Sequence, residues 1–301
     1  MYLRYLKIAS WCLLAPWAVA CGGIVVVDAA NDGAGGSGGG AATTTATATT
    51  TATTTATSGT GGAPPEGSAL VRVANLAIGG VPFDFCLSGD GEASWIGPVI
   101  GNGLSGGPPD PGGLAVHEVS AYVPVPAGPL NAVYVTPGSV SCSVQLHNTS
   151  HGVTAPGKYY TINILMYYGN GVIGLHHYED NHEVAPGTAN LGAGHEASSA
   201  GSAVDIGPLE GGMFTPVVNN LQYRDHQSVV TSPLGEVTLA VRRAGTADKV
   251  INVAFPGLPE GSATSLYLLG FEPQDLELFA CLDNQPPVGG LSQCFTLPEV
   301  P

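Results

Sequence analysis

The chain has 301 residues, of which 44 are glycine and 24 are proline, while charged residues account for 10%. This length suits two domains of ordinary size. The formal net charge of −15 repels phosphate groups, which argues against nucleic acid and anionic lipid headgroups as direct partners. Frequent Val, Thr and Gly with only 7% aromatic residues predict an all-β protein with many turns.

Residues 1–20 have the features of a secretory signal peptide. A short basic start precedes an apolar run over residues 8–20, which is too short for a comfortable transmembrane helix. The run ends in A-V-A, a cleavage signal, and Cys21 follows. This arrangement also resembles the bacterial lipoprotein signal, whose acylated residue is the cysteine after the cut. We therefore expect lipidation of Cys21 and a location at the outer membrane or cell surface, with secretion of an unlipidated protein as the alternative.

Residues 21–67 are predicted to be a lipid-anchored, disordered tether. Residues 41–58 are almost entirely Thr and Ala, and Gly and Ala are frequent in the segments on either side. This composition supplies too few apolar side chains to offset the entropy of ordering the chain. A flexible coil of about 40 residues spans roughly 35 Å, enough to hold a domain away from a membrane. The density of Thr is typical of O-glycosylated stalks, although an unmodified linker explains it equally well.

From residue 68 onward, short runs of alternating apolar and polar residues predict β-strands. The expected strands cover residues 70–77, 81–87, 121–125, 130–135, 140–146, 159–168 and 172–178. A looser copy of this pattern follows, in which residues 203–206, 228–241 and 258–270 match residues 82–85, 120–135 and 155–169. The pattern predicts two tandem antiparallel β-sandwiches of immunoglobulin-like type, over residues 68–184 and 185–301. A single large sandwich or barrel is the alternative.

The first copy resembles a known family. A strand that carries Asp84 is followed by Y-x-x-V-P-A-G and then by P-G-K-Y-Y-T, and this order is similar to the domains of unknown function numbered 4397. The resemblance covers residues 68–169 well and residues 185–282 loosely. It implies tandem β-sandwich repeats in bacterial envelope or secreted proteins, and it implies no activity. Residues 78–82, I-G-G-V-P, replace the S-P-D-A-P-like run of the family.

Four cysteines follow Cys21, and an even number in an exported chain indicates two disulfides with three possible pairings. The repeat selects among them, because Cys86 and Cys142 lie in the first copy while Cys281 and Cys294 lie in the second. The second bridge would close a short loop and add about 3 kcal/mol in the chain-entropy model. No C-x-x-C spacing is present, so we do not expect these cysteines to bind metal.

The densest group of metal-ligand side chains comprises His176, His177, His182 and Glu183. Imidazole and carboxylate groups suit zinc or another transition ion. Adjacent residues of a strand point to opposite faces, so both neighbouring histidines can bind one ion only if the strand has ended. A polar loop with exposed histidines is the favoured interpretation, and metal binding is the weaker hypothesis.

Three other features have a structural and a functional interpretation. Residues 103–107 match G-x-S-x-G, but two prolines follow at once and exclude the helix that a nucleophile elbow needs. Asp84 and Asp205 occupy matching positions in the two copies, which favours a structural bond to backbone amides over catalysis. The tyrosines at 159–160, 167–168 and 178 could form a binding surface, although a mixture of core and rim positions is favoured.

The function predicted from these features is that of a surface-anchored lipoprotein, a noncatalytic binding or adhesion module of the bacterial cell envelope. Its expected partners are the membrane, through lipidated Cys21, and a glycan or an envelope protein. We expect neither enzymatic activity nor a cofactor. The alternatives are a structural envelope component without a soluble ligand and, less favoured, a metal-dependent hydrolase. An exposed aromatic patch would support binding, whereas convergence of the histidines would support hydrolysis.

Overall fold

The fold is taken from a computed structural model that describes residues 65–89, 94–143, 145–166, 173–197, 202–271 and 274–301. The predicted signal peptide, Cys21 and all but the last three residues of the predicted tether lie outside the described residues. Secondary structure in the described ranges consists of strands and turns, which confirms the all-β prediction. That part of the chain contains no helix long and apolar enough to cross a membrane.

The described strands of the first half are β1 (Ser68–Asn75), β2 (Asp84–Ser88), β3 (Glu118–Val119), β4 (Val123–Pro126), β5 (Pro129–Val135), β6 (His147–Val153), β7 (Tyr159–Met166) and β8 (Ile173–Asp180). They form two sheets. Sheet I has the order β3-β1-β7-β8, with β4 also paired to β1, and sheet II has the order β2-β5-β6. In this order β2 lies at an edge of sheet II.

The described strands of the second half are β9 (Ala189–His195), β10 (Val204–Glu210), β11 (Met213–Phe214), β12 (Val218–Leu221), β13 (His226–Thr231), β14 (Val237–Arg243), β15 (Lys249–Phe255), β16 (Ala263–Phe271), β17 (Gln274–Leu282) and β18 (Gln293–Thr296). Sheet III has the order β13-β9-β16-β17-β18. Sheet IV has the order β11-β10-β14-β15, with β12 also paired to β10.

The two halves share one strand connectivity. The order β4-β1-β7-β8 in sheet I matches β13-β9-β16-β17 in sheet III, and β2-β5-β6 matches β10-β14-β15. The three pairs of segments that match in sequence therefore lie on corresponding strands. Each half also contains a parallel pair, β1 with β7 and β9 with β16, among otherwise antiparallel neighbours. The two strands of each pair can run parallel because the chain crosses to the other sheet of the sandwich and back between them.

Each half has its own apolar core between its two sheets. Alternation along the strands builds these cores: Phe85 and Leu87 of β2 enter the first core, whereas Cys86 between them faces the opposite side of sheet II. In the second half, Leu239 and Val241 of β14 enter a core of the same kind. Both cores are dominated by fully buried aliphatic side chains, so hydrophobic burial is the main stabilising term in each sandwich.

The prediction of a strand over residues 140–146 is wrong. Ser141 and Ser143 belong to a turn, Val140 is 90% exposed, and the strand that pairs with β5 is β6, over His147–Val153. The disulfide to Cys86 explains the difference. Cys142 packs on the outer face of sheet II, so its segment passes across that face and cannot lie beside β5 as a strand.

Both predicted disulfides are confirmed. Cys86–Cys142 closes a loop with a sequence separation of 56, and Cys281–Cys294 closes one with a separation of 13. The first bridge joins β2 to the turn that crosses sheet II. The second joins facing residues of β17 and β18, so each bridge lies within one half of the repeat.

The matching aspartates bind backbone amides, as the repeat predicted. The fully buried Asp84 carboxylate accepts hydrogen bonds from the amides of Ile100 at 3.0 Å and Gly101 at 2.7 Å. Asp205 accepts bonds from the amides of Asn220 at 2.7 Å and Gly245 at 2.9 Å. Asp84 thus holds the connection that follows β2, whereas Asp205 holds β12 and the turn between β14 and β15. Both roles are structural.

The substitution Asp84→Ala should lower the free energy of unfolding by about 3 kcal/mol, because it leaves buried amides without an acceptor. Urea denaturation of the full chain measures this loss. Asp110→Ala is the matched control: that aspartate is exposed and accepts a bond from one amide, that of Gly112 at 2.7 Å, so its removal should cost below about 1 kcal/mol. Equal losses in the two variants would contradict the assigned role.

Candidate functional site

The outer face of sheet I packs against the outer face of sheet III. An apolar part of this junction contains Ala74, Leu76 and Val119 from the first half and Tyr267 and Phe279 from the second. The rest of the junction is polar and includes buried ion pairs between the two halves. Because the two sandwiches meet there, the junction is the first candidate site.

Arg72 of β1 lies at the centre of the polar part and is fully buried. Its Nη1 atom lies 2.7 Å from Oδ1 of Asp283, which belongs to the second half, and its Nη2 atom lies 3.6 Å from Oδ1 of Asp180. Its Nε atom donates a 2.8 Å hydrogen bond to Thr161 of β7. A guanidinium group suits this position because it is always charged and has five donors.

The cluster around Arg72 holds more negative than positive charge. Asp180 and Asp283 face a single guanidinium group, and Ser265 donates a 2.6 Å hydrogen bond to Asp283. Burial raises the pKa of Asp283 to about 6, since the loss of hydration outweighs the attraction of Arg72. This carboxylate therefore takes up a proton in mildly acidic solution.

An aromatic group borders the charged cluster on the side of the first sandwich. The ring of Tyr159 stacks on that of His182 with centroids 4.0 Å apart, and Tyr122 meets both edge-on. The Tyr122 hydroxyl donates to Asp180 at 2.9 Å and lies 2.9 Å from Nε2 of His182. Burial lowers the pKa of His182 to about 4, so this ring is neutral at neutral pH.

A second polar group crosses the junction farther along β8. His176 contacts Glu196 of the second half, with Nδ1 2.9 Å from Oε2, and Asn163 donates to the same carboxylate at 3.1 Å. Tyr178 stacks on His226 with ring centroids 4.0 Å apart. Burial lowers the pKa of His226, and its Nε2 atom is buried without a hydrogen-bond partner.

Two glycines of β9 make room for these rings. A Cβ atom at Gly192 would lie 3.1 Å from Nε2 of His226, and one at Gly194 would lie 3.2 Å from the ring of Tyr267. Flat side chains can therefore lie directly on the backbone of sheet III. A larger residue at either position would displace His226 or Tyr267, whose rings sheet III presents to the junction.

The predicted metal-ligand residues do not converge. His176 contacts Glu196, His177 stacks on Tyr160 on the other face of β8, and His182 contacts Tyr122. Glu183 is exposed, and its backbone forms two hydrogen bonds: its amide donates to Asn181 at 3.1 Å and its carbonyl accepts from Asn190 at 2.6 Å. The described residues contain no group of three or more side chains of His, Cys, Asp or Glu that could hold a metal ion. The strand continues to Asp180, so the two adjacent histidines point to opposite faces.

The other sequence motifs lie apart from the histidines. Ser105 of the G-x-S-x-G match is buried, and a Cβ atom at Gly290 would lie 2.6 Å from its Oγ atom, so a loop of the second sandwich covers it. The tyrosines divide between core and rim: Tyr160 is 5% exposed, whereas Tyr159 is half-buried. Tyr167 and Tyr168 lie outside the described residues.

A second candidate site is an apolar cleft of about 580 Å³ in the second sandwich. Phe295 of β18, which is 36% exposed, contributes an aromatic ring to it. The ends of β14 and β15 and the segment after β18 supply the rest of the lining, namely Glu236, Val237, Thr238, Ala254, Phe255, Pro256, Leu297 and Pro298. This volume lies in the range of small-ligand pockets, and the lining is mostly apolar.

No protein-family model matches this chain, and no curated protein matches it. The resemblance of residues 68–169 to the domains numbered 4397 therefore stays a prediction.

Sequence reasoning missed Arg72 and Asp283, which are the centre of the junction. A signal for the arginine was present, because a charge interrupts the apolar run of β1, L-V-R-V-A-N. Val71 and Val73 enter the first core, so alternation places Arg72 on the opposite face. Nothing in the sequence indicated that this face would be covered by a second sandwich.

Replacement of Arg72 by methionine should lower the free energy of unfolding by about 3–5 kcal/mol, because two buried carboxylates lose their counterion. The triple variant Arg72→Met/Asp180→Asn/Asp283→Asn should recover part of this loss, since no buried charge is left uncompensated. Urea denaturation of the full chain measures both values. In the control variant Lys158→Met, an exposed pair with Glu179 at 3.0 Å is lost, and stability should change little. Equal stability of Arg72→Met and the parent chain would contradict the role of the arginine.

The pH dependence of stability should contain a contribution from His182. Its pKa is about 4 in the folded chain and about 6.5 when unfolded, so the unfolded state binds more protons between these values. Stability should therefore fall as the pH decreases from 6.5 to 4, with a slope of up to about 1.4 kcal/mol per pH unit. In the variant His182→Gln this loss should disappear, as measured by urea denaturation at several pH values.

Asp283→Asn is the control of opposite sign. The pKa of Asp283 is raised to about 6 in the folded chain, so the folded state binds more protons between about pH 6 and its ordinary value near 4. The parent chain should therefore gain stability relative to Asp283→Asn as the pH falls through this window.

Identical pH profiles of the parent chain and His182→Gln would show that the His182 ring is not held neutral by burial.

Proposed function

We propose that this chain is an exported bacterial lipoprotein, anchored through Cys21, whose two sandwiches act as a noncatalytic binding or adhesion module of the cell envelope. The anchor and the tether support this proposal from the sequence, because residues 1–20 resemble a lipoprotein signal and residues 21–67 lack the composition of a folded domain. The protein would reside at the outer membrane or the cell surface.

The observation that carries the binding proposal is the apolar cleft beside β18. Its lining combines the exposed Phe295 ring with Val237 and Pro256, and burial of such a surface by a partner is favourable by about 25 cal/mol per Å². Aromatic rings also stack on the apolar faces of sugars and on apolar side chains of proteins. The expected partner is therefore a glycan or a segment of an envelope protein, which agrees with the partner classes predicted from the sequence.

A structural role is the second candidate function, and the junction favours it. The contacts of Arg72 with Asp283 and of His176 with Glu196 join the two sandwiches through largely buried groups. An interface with such fixed contacts holds two domains in one orientation. A rigid pair of domains at the end of a tether would suit a spacer within the envelope that has no soluble ligand.

The binding proposal predicts a thermal shift of the full chain with one of two probe sets, bacterial cell-wall glycan fragments or purified envelope proteins. A partner present at 100 times its dissociation constant should stabilise the fold by about 2.7 kcal/mol. Phe295→Ser should abolish the shift. Val230→Ser, which changes an exposed apolar residue of β13 outside the cleft, should retain it.

In cells, Cys21→Ser should move the chain from the membrane to the soluble fraction.

A shift that Phe295→Ser retains would refute the role of the cleft. The absence of a shift with every probe would favour the structural role. A Cys21→Ser variant that stays in the membrane fraction would contradict anchoring through this residue and would leave the binding result unaffected.

A further inference from the structure

The loop between β17 and β18, closed by the Cys281–Cys294 disulfide, reaches across to the first sandwich. The amide of Ala121 donates to the carbonyl of Gly290 at 2.8 Å, and the amide of Ser292 donates to the carbonyl of Val119 at 2.8 Å. Ser120 and Leu291 form an antiparallel bridge. The loop therefore extends the edge of sheet I by one bridge-forming residue, Leu291, next to β3.

The same loop supplies the ionic contact at the centre of the junction. Asp283 follows Cys281 by two residues, and its Oδ1 atom lies 2.7 Å from Nη1 of Arg72. Asn284 donates a 2.6 Å hydrogen bond to the carbonyl of Gly261, which ties the loop back to its own sandwich. One disulfide-closed loop thus presents both a carboxylate and a strand edge to the first sandwich.

The tip of the loop packs against the G-x-S-x-G segment. A Cβ atom at Gly107 would lie 2.0 Å from the carbonyl oxygen of Gly289, and one at Gly290 would lie 2.8 Å from the amide nitrogen of Gly107. The backbones of the two segments are in direct contact here, so any side chain larger than the hydrogen of glycine would separate the loop from residue 107. Gly107 of the G-x-S-x-G match therefore has a structural explanation, because this loop packs directly on its backbone.

We propose that the Cys281–Cys294 disulfide is a redox-controlled clasp that fixes the docking of the two sandwiches. With the bridge formed, the loop is short and its contacts with Arg72, Val119 and Ala121 are made at low entropic cost. With the bridge reduced, the loop gains conformational freedom, and the contacts that it makes across the junction weaken while each sandwich keeps its own core. If the chain is exported as proposed above, docking would follow the transfer from a reducing to an oxidising compartment.

The redox step requires a dithiol reductant. Its thiolate attacks one sulfur of the Cys281–Cys294 bond, and the other sulfur leaves as a thiolate and takes up a proton. The second thiol of the reductant then resolves the mixed disulfide and releases the other cysteine as a thiol. The protein gains two electrons and two protons, and the reductant becomes a disulfide.

Hydrogen exchange of the full chain tests the clasp, because the Ala121 and Ser292 amides donate across the junction. Cys281→Ser/Cys294→Ser should speed exchange at both amides by about 10- to 100-fold, in line with the loop entropy that the bridge removes. Amides that pair β9 with β16 should keep their protection, which shows that the second sandwich remains folded. Treatment of the parent chain with dithiothreitol should produce the same local change.

Two further variants separate the clasp from a general loss of stability. Cys86→Ser/Cys142→Ser removes the bridge that lies within the first sandwich and should not selectively expose the amide of Ser292. Gly290→Val keeps all cysteines but places a side chain against Ser105 and Gly107, so it should open the junction while the Cys281–Cys294 bridge stays formed. Unchanged protection of Ala121 and Ser292 in the Cys281→Ser/Cys294→Ser variant would overturn the proposal.

Discussion

The buried charge of Arg72 is the constraint on which the arrangement of the two sandwiches depends. A guanidinium group without water or a counterion is strongly unfavourable in a protein interior, and it cannot lose its proton as a buried lysine can. Asp180 from its own half and Asp283 from the other half surround it. In the first sandwich alone, this arginine would be exposed beside a single carboxylate. Docking of the second sandwich buries it and supplies the second carboxylate, that of Asp283.

This polar junction differs in kind from the cores of the sandwiches. Aliphatic burial in the cores is non-directional and tolerates exchange of similar side chains. Contacts such as Arg72 to Asp283 or His176 to Glu196 depend on position and distance, because an unmatched partner leaves a buried charge. A pair from outside the polar group, His117 with Glu277 at 2.7 Å, also crosses the junction. Several directional contacts of this kind specify one orientation of the two halves.

The repeat and the junction together explain why the copies have diverged. Asp84 and Asp205 lie near the start of corresponding strands, and both carboxylates accept hydrogen bonds from backbone amides of later segments, since each sandwich must fix its own connections. The residues of the junction follow no such symmetry: β1 contributes an arginine, whereas β9 contributes Gly192 and Gly194. The two outer faces must complement each other, so Arg72 on one face meets the Asp283 carboxylate on the other.

The sequence by itself determined the all-β class, the correspondence of the strands in the two halves and both disulfides. These features depend on local alternation, on turn residues and on cysteines confined to each copy, all of which are visible within a short stretch of chain. The expected strand at 140–146 failed because the bridge from Cys142 carries that segment across sheet II, which is a tertiary constraint. Only the tertiary structure brought Arg72 to Asp283 and separated His176, His177 and His182. Arg72 and Asp283 are more than 200 positions apart in the sequence, and His176 and His177 are neighbours whose side chains point to opposite faces of a strand. Alternation along a strand does not indicate what covers either face.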